Sequence, residues 1–529
     1  MVAVARGRLG VVDADDDVIA TLGRAELVGE MGALTGRPRS STVVALRDTT
    51  VLEIDQRAFD DLFDSSPVLG RALSRLVIDR LDGEATRAQQ WAVPRVVAVV
   101  GVGEPGDLDP LIAALTRRVG SAEVVAPSFA AGRGDDEVLA ALDSIEADND
   151  LVVLLAGQLA AGGVAGTDSW ADLCVRHADV VIVAVAPGRG PSGGLGPLGN
   201  RLGELRSTIE LAVMNRAGAD VGADASVWMV ALGADRLHHL RVDDSGSVDR
   251  CARLVLGQGV GLVFSGGAAK GLAHLGAWRA LSELGVEIDA VAGVSFGALL
   301  GAGVALDYTP EALQTEVQDR LVKERGLVDL TFPWMALLRG EGVSDRLRDV
   351  GRDRHFAQTW RGFVCTSCDL VTGDLVEHRT GPLWEAIRAS VSIPGVLPPV
   401  RMGERLLVDG AVRSNLPIGP LRAGHPTPMT VIAIDVGKDG VLPAGETPGG
   451  GEVSGWKLVA RRLDPRRAKP RVPSVSQVLM RVMELAGDDG DAVADRVIRP
   501  DLSELGVGDF AQIDQFAQAG YDATVSSFA

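Results

Sequence analysis

At 529 residues the chain is too long for one ordinary hydrophobic core, and three or four folded units are expected. Apolar residues make up 46% and aromatics only 4%, so alanine and glycine must supply much of the packing. A formal charge of −19 excludes a nucleic-acid partner, because phosphate would be repelled over most of the surface.

Four cysteines, Cys174, Cys251, Cys365 and Cys368, are too few for a disulfide framework and fit a reducing compartment. Cys365 and Cys368 form a CxxC, but no second pair or neighbouring histidines complete a zinc site. They read as small residues of a buried strand, and no metal is expected. No signal-peptide pattern opens the chain, which is acid-rich through Asp13–Asp17. The longest uncharged stretches, Leu151–Thr167 and Ala290–Leu306, hold 17 residues each. Both fall short of the ~20 that span a bilayer. The expected location is the cytoplasm, peripheral to a membrane, with no transmembrane segment.

In chain order, Leu9–Val12, Val18–Leu22, Val43–Leu46 and Val51–Ile54 alternate with turn residues and predict short strands of an all-β unit. Phe59–Phe63 and Val68–Leu81 carry apolar residues at helical spacing, and Ala85–Pro94 reads as a linker. From Val96 the pattern becomes strand, helix, strand. Val96–Val100, Val124–Val125, Leu151–Leu155, Val180–Val185 and Val227–Leu232 are continuous apolar runs of the kind found in parallel strands buried on both faces. Leu111–Val119, Glu137–Asp148 and Trp170–His177 predict the helices between them, and this unit is expected to end near Val248. A second α/β series starts at Gly259. The expected fold class is α/β, in four parts: a partial β-roll over 1–85, an α/β connector over 95–250, a catalytic domain over 259–437, and a tail over 438–529 packed on it.

Three motifs carry chemistry. Gly293-Val294-Ser295-Phe296-Gly297 follows the apolar run Ala290–Ala292 and precedes the small-residue helix Ala298–Leu306. Strand, GxSxG turn and helix make a nucleophile elbow, in which flanking side chains would collide with neighbouring strands. The helix start adds amides and a positive dipole end. The second motif follows the strand Val260–Phe264: Ser265-Gly266-Gly267-Ala268-Ala269-Lys270-Gly271 can turn several backbone N–H groups toward one anion. In acyl transfer that anion is the tetrahedral oxyanion. A dinucleotide loop fails at Ala268, and a Walker A loop fails because Gly271 follows Lys270. Third, Leu406-Leu407-Val408-Asp409-Gly410-Ala411 ends an apolar strand in an acid. Taken alone, Asp-Gly is more often a plain turn. His425 allows a Ser–acid–His order along the chain, but it lies in a Pro-rich loop with no other catalytic sign.

In that order, Gly266–Gly271, Gly293–Gly297 and Asp409-Gly410-Ala411 resemble the patatin-like phospholipases, as does Ser390–Val400 between elbow and acid. Trp170–Ala184, His238-His239, Trp456–Pro473 and Val497–Pro500 are similar to the neuropathy target esterase branch, so the resemblance covers most of the chain. It implies Ser295 as nucleophile, Asp409 as proton acceptor, and an oxyanion loop of Gly266, Gly267 and Ala268, with the Phe296 amide as a further donor. It also implies lysophospholipid or phospholipid substrates, no metal and no required cofactor. The family usually has glycine where Ala268 stands and arginine where Lys270 stands. A methyl group at 268 requires φ below zero.

Gly29–Val43 resembles the phosphate-binding cassette of cyclic-nucleotide-binding domains. There Arg39 would neutralise a cyclic phosphate, Ser40 would bond its oxygens, and Glu30 would accept from the ribose 2′-hydroxyl. The family's first helix and early strands are not found in this sequence, so either part of the barrel is missing or the true start lies upstream, and the unit reads as a sensor for cAMP or cGMP or as a degenerate or structural remnant. Trp456–Arg471 gathers Lys457, Arg461, Arg462, Arg466, Arg467, Lys469 and Arg471. Such a cluster reads as docking on an anionic leaflet, or as a solvated, salt-bridged segment. The overall expectation is a Ser–Asp lipid-ester hydrolase modulated by a cyclic nucleotide. Its rival is a catalytically quiet, nucleotide-responsive scaffold on membranes.

Overall fold

A computed structural model of the chain describes residues 1–13, 18–36, 41–66, 93–159, 169–188, 207–216, 224–323, 329–332, 334–351, 354–425, 427–437 and 493–529, with isolated positions between them. Two compact units divide it, Met1–Gly259 with Gly424–Met429, and Val260–Ala423 with Thr430–Ala529.

The first unit begins with strands β1 (Val2–Arg6), β2 (Leu9–Val12), β3 (Val18–Leu22) and β4 (Leu27–Val28), helix α1 (Glu30–Thr35), strands β5 (Thr42–Ala45) and β6 (Thr50–Glu53), and helix α2 (Gln56–Ser65). They form two antiparallel three-stranded sheets, β4-β1-β6 and β3-β2-β5. The cores are small: Val4, Leu9 and Leu22 in one cluster, and Met1, Ala33 and Phe59 in another. Strands β2 and β3 match the sequence reading, whereas β1 and β4 were not anticipated. The expected helix Val68–Leu81 and linker Ala85–Pro94 lie almost entirely outside the described residues.

A parallel sheet follows, built from β7 (Val96–Val102), β8 (Ala122–Val125), β9 (Leu151–Leu159), β10 (Val180–Val185), β11 (Thr208–Asn215) and β12 (Arg236–Arg241), in the order β12-β11-β10-β7-β9-β8. Helices α3 (Asp109–Thr116), α4 (Asp135–Asp148), α5 (Ser169–His177), α6 (Ala225–Leu232) and α7 (Ser245–Val255) complete it. Every residue of β7 and β10 is buried, which is why their sequence is nearly unbroken valine. One expected strand, Val227–Leu232, is instead the body of α6. An all-apolar run this short has no periodicity to separate strand from helix. The helix turns Ala225, Trp228 and Leu232 inward and leaves Val227 and Val230 exposed. The true fifth and sixth strands, β11 and β12, carry Glu210, Asn215, Arg236, His238 and His239, polar residues that hide a strand from a hydrophobicity reading. The expected boundary near Val248 is also corrected, since α7 runs through it.

Charge ties the small sheets to this parallel sheet. Arg47 is buried and donates to Glu146 Oε1 at 2.7 Å and to the His177 carbonyl at 2.9 Å, and its Nε lies 3.2 Å from Asp179. Burial alone would raise the Asp179 carboxyl, but Arg8, Arg47 and the amides of Arg95 and Val96 hold it below the usual range. A buried carboxylate is tolerable only with such partners.

The second unit holds β13 (Gly259–Phe264), α8 (Ala273–Glu283), β14 (Ala290–Val294), α9 (Phe296–Ala305), α10 (Pro310–Val317), α11 (Glu341–Gly351), β15 (Gly362–Asp369), β16 (Leu375–His378), α12 (Leu383–Ser390), β17 (Val400–Met402), β18 (Arg405–Asp409), α13 (Ile418–Ala423), β19 (Met429–Ile434), β20 (Arg496–Ile498) and α14 (Ile513–Phe528). Its eight-stranded mixed sheet runs β17-β18-β15-β14-β13-β19-β20, with β16 also on β15. Strands β13, β14 and β15 are parallel, so their carboxyl ends share one edge. Helix α14 packs backbone to backbone on α8. A Cβ at Gly276 would fall 1.6 Å from the Ala517 oxygen, and one at Gly520 would fall 1.9 Å from the Ala273 oxygen.

Candidate active site

The elbow forms where β14 hands over to α9. Ser295 has φ 55 and ψ −128, a region L-residues rarely occupy. Such strain costs about 1–3 kcal/mol and persists only where the surroundings impose it. The flanking glycines show the cause. A Cβ at Gly293 would lie 2.4 Å from the Gly297 oxygen, and one at Gly297 would lie 2.5 Å from the oxygens of Phe264 and Ser265. These contacts are with backbone, which cannot swing away, so only glycine lets α9 cross the end of β13. The Ser295 amide donates to Ser390 Oγ at 2.9 Å, which pins the elbow to the end of α12.

Register brings the acid beside the serine. Strand β15 pairs with β14 up to the Thr366–Val294 rung and with β18 from the Ser367–Asp409 rung onward. Strand β16 pairs with Cys365–Cys368 across both stretches. It therefore occupies the opposite edge, and β14 and β18 must follow one another along the same edge of β15. Asp409 comes one rung after Val294, where Ser295 leaves the sheet. Both residues are buried, at 4% and 0% exposure.

Asp409 Oδ1 accepts from the Ala411 amide at 3.0 Å, and the Asp409 amide donates to the Ser392 carbonyl at 2.9 Å. Burial pushes the carboxyl up to about 7, against the lowering effect of the Ser295 hydroxyl and the Ala411 amide. Ser295 thus stands close enough to act on the acid, yet Oδ2 makes no bond of full hydrogen-bond geometry. A carboxylate with one committed oxygen and one open oxygen is arranged to accept a proton.

The glycine-rich loop packs on the same point. A Cβ at Gly266 would lie 3.1 Å from Ser295 Cβ and 3.6 Å from Ala411 Cβ. Next along the loop, the amides of Ala269 and Lys270 are committed to the carbonyls of Val507 and Gly267. Those of Gly267 and Ala268 meet no acceptor among the described residues. Ala268 departs from expectation: its φ is +49, not negative. The turn from β13 into the following helical residues requires a left-handed residue there, and this chain meets the requirement with a strained alanine. We predict that Ala268→Gly raises stability by up to about 1 kcal/mol in urea unfolding without lowering turnover. Lys270, which replaces the family's arginine, is buried.

Two contributors were not anticipated in these roles. Ser390 lies in a segment noted only for its resemblance. Asn415 donates from Nδ2 to the Gly266 carbonyl at 3.4 Å, from a loop with no motif of its own. His274 bonds the Ser265 carbonyl through Nε2 at 2.9 Å, and burial lowers it to about 4. His425 falls in the Gly424–Met429 segment that clusters with the first unit. Cys365 and Cys368 are buried on β15, three residues apart and thus on opposite faces, so they do not form a chelating pair.

Of the predicted nucleotide residues, Glu30 is buried at the start of α1. Arg39 and Ser40, like the basic stretch Trp456–Arg471, lie outside the described residues. Among the described residues no helix is long and apolar enough to cross a membrane.

A strained serine after a parallel strand, a buried acid one rung beyond, and a glycine-rich loop against both define a patatin-type α/β hydrolase. Residues 262–422 match the model of the patatin-like phospholipase family, and residues 1–66 match that of the cyclic nucleotide-binding domain. An uncharacterized NTE family protein of Mycobacterium tuberculosis is 31% identical over 97% of this chain and 86% of its own length. Patatin-like phospholipase domain-containing protein 6 of Homo sapiens is 25% identical over 96% of this chain and 41% of its own. Patatin-like phospholipase domain-containing protein 7 of Mus musculus is 25% identical over 98% and 43%. The chain belongs to the NTE family. It is a lipid hydrolase with a cyclic-nucleotide-binding-type domain at its amino-terminal end.

Proposed function

We propose that the protein hydrolyses the carboxylic esters of lysophospholipids or phospholipids with a Ser295–Asp409 dyad. The observation that carries this reading is the end-to-end arrangement of β14 and β18 on one edge of β15. It sets a strained serine beside a buried acid whose pKa is about 7.

Ser295 Oγ attacks the ester carbonyl while Asp409 accepts its proton. The developing oxyanion is met by the Gly266, Gly267 and Ala268 amides of the glycine-rich loop, with the Phe296 amide at the start of α9 as a further donor. As the tetrahedral intermediate collapses, the C–O bond breaks and Asp409 returns the proton to the departing alcohol. Water then attacks the acyl-enzyme as Asp409 takes its proton; the bond from the acyl carbon to Ser295 Oγ breaks, Asp409 passes the proton to Oγ, and the fatty acid leaves. No metal or cofactor enters these steps.

A fluorophosphonate probe tests the reading. Wild type is expected to label stoichiometrically and Ser295→Ala not at all. Labelling that survives the substitution places the nucleophile elsewhere, and a wild type that never labels favours a catalytically quiet scaffold.

The amino-terminal domain's effector is proposed to be a cyclic nucleotide, cAMP or cGMP, held by Glu30, Arg39 and Ser40, with the protein peripheral at a membrane surface in the cytoplasm. Equilibrium dialysis checks the ligand. Loss of one guanidinium–phosphate pair is expected to weaken binding by at least about tenfold in Arg39→Ala. Absence of wild-type binding marks the domain as structural.

A further inference from the structure

Residues 330–338, Leu-Thr-Phe-Pro-Trp-Met-Ala-Leu-Leu, contain no charged side chain. Four of their large apolar side chains are nonetheless turned outward, while Ala336 is buried. Leu330 is 70% exposed, Phe332 80%, Trp334 90% and Met335 59%, including the most exposed aromatic residues among those described. Single exposed apolar residues need no explanation, but four within six positions do.

This exposure is built rather than accidental. The Asp329 carboxylate accepts from the amides of Gly340 and Gly342 at 3.1 and 3.2 Å, and the Arg339 amide donates to the Asp329 carbonyl at 2.8 Å. Leu330 pairs with Leu338, and the Thr331 amide donates to the Leu337 carbonyl at 3.1 Å. The stem is therefore closed by its own backbone, and the tip projects with its apolar side chains outside.

The stem is also fixed beside the ester-cleaving machinery. The amides of Leu337 and Leu338 donate to the carbonyls of Gly395 and Val396, both at 3.0 Å. Just before that segment, Ser392 accepts the Asp409 amide, and Ile393 packs on Val294 and Ala411. Arg388, buried, joins the pieces by donating to Ser392 Oγ, Ser344 Oγ and the Pro398 carbonyl.

From this geometry, and resting on the lipid-ester reading above, we infer that Leu330, Phe332, Trp334 and Met335 form an interfacial wedge. Phe332 and Trp334 enter the surface of a lipid aggregate and bring the rim of the Ser295 site against it. The occupant is a lipid surface rather than a peptide, because the feature is a projecting tip and not a groove. An apolar body with one polar N–H suits tryptophan to the headgroup boundary. Charge points the same way. A chain of net charge −19 gains little from long-range attraction to an anionic leaflet, so apolar insertion must supply much of the adhesion. Arg339, its side chain 59% exposed, closes the stem with its guanidinium 3.9 Å from the Glu341 carboxylate.

The test uses the full chain and sucrose-loaded phosphatidylcholine vesicles at high salt, which screens the basic stretch but not the wedge. Wild type and Ser295→Ala are expected to sediment with vesicles, with a blue shift of tryptophan emission that Trp334→Phe removes. The double variant F332S/W334S is expected to partition at least about tenfold less. Its turnover of vesicle-borne lysophospholipid should fall in parallel, while hydrolysis of a water-soluble short-chain ester stays within about twofold of wild type. Unchanged partitioning of the double variant, or a wild type that does not partition, overturns the wedge. So does joint loss of soluble-ester hydrolysis, which would make the loop part of the active-site fold. A dimer that becomes monomeric in the variant with partitioning unaltered overturns it too, in favour of contact between copies. If no form cleaves any ester, the enzymatic reading falls while the sedimentation arm still decides the wedge.

Discussion

Asp409→Asn is expected to lose about 10³-fold in kcat/KM on a soluble carboxylic ester, and at pH 8 to resist unfolding better than wild type. Both effects come from one buried group. An amide keeps the shape and can still accept from the Ala411 amide, but it cannot take the Ser295 proton. The stability effect follows from the raised pKa. Burial lifts the carboxyl from 3.8 to about 7, so the folded chain binds this proton more tightly than the unfolded chain. Its favourable contribution is complete below the unfolded value and is lost as pH rises through the folded one. Over that window the wild type gives up as much as about 4 kcal/mol to hold an anion in an apolar site. Asparagine never incurs this penalty, so the variant should gain on wild type between about pH 4 and pH 7 and keep that gain above. Activity runs oppositely: only the carboxylate accepts a proton, so wild-type kcat/KM should climb through an acid limb near 7. Urea unfolding at pH 4 and pH 8, with a pH–rate profile, checks both. A variant that keeps turnover, or a stability difference equal at the two pH values, removes Asp409 from the proton-accepting role.

Gly266→Ala is expected to cost about 10²-fold in acylation rate while the fold survives. The new methyl would stand 2.8 Å from Asn415 Oδ1, 3.1 Å from Ser295 Cβ and 3.6 Å from Ala411 Cβ. The Asn415 amide is the end of a side chain and can yield, so the stability loss should stay near about 1–2 kcal/mol. Ser295 cannot yield in the same way, because the hydrogen bond from its backbone N–H to Ser390 Oγ and the backbone contacts of Gly293 and Gly297 hold it. The methyl therefore intrudes between the nucleophile and the loop where a carbonyl oxygen must settle. Single-turnover acylation with a soluble activated ester, alongside thermal unfolding, measures the two effects separately. A variant that acylates at the wild-type rate means that this loop does not face the reacting carbonyl.

Features encoded within a few consecutive residues could be read directly. The GxSxG turn has one local meaning when a valine-rich strand precedes it and small residues follow, and the strand–loop–helix at Val260–Gly271 is similar. The strands β7 and β10 declared themselves because double-sided burial demands unbroken valine. The same rule failed at Val227–Leu232, where six apolar residues belong to a helix with one face in the core and Val230 in solvent. It also missed β11 and β12, whose polar residues find partners distant in sequence: Glu210 meets Arg236 and His238, and Asn215 meets His239. A polar residue paired across a sheet looks the same in sequence as one left in water.

The sequence alone settled the chemistry available: a serine on a turn too tight for any flanking side chain, a loop rich in amides, and an acid at a strand's end, each a consequence of short-range sterics. Only the tertiary structure decided that these meet. The β15 register seats β18 beyond β14 on one edge, Ser390 and Asn415 arrive from unmarked segments to brace the serine and the loop, and Ala268 is forced to a positive φ. These outcomes depend on strand pairing between residues distant in sequence, such as Val294 with Thr366 and Ser367 with Asp409, and no local pattern records which rung will face which.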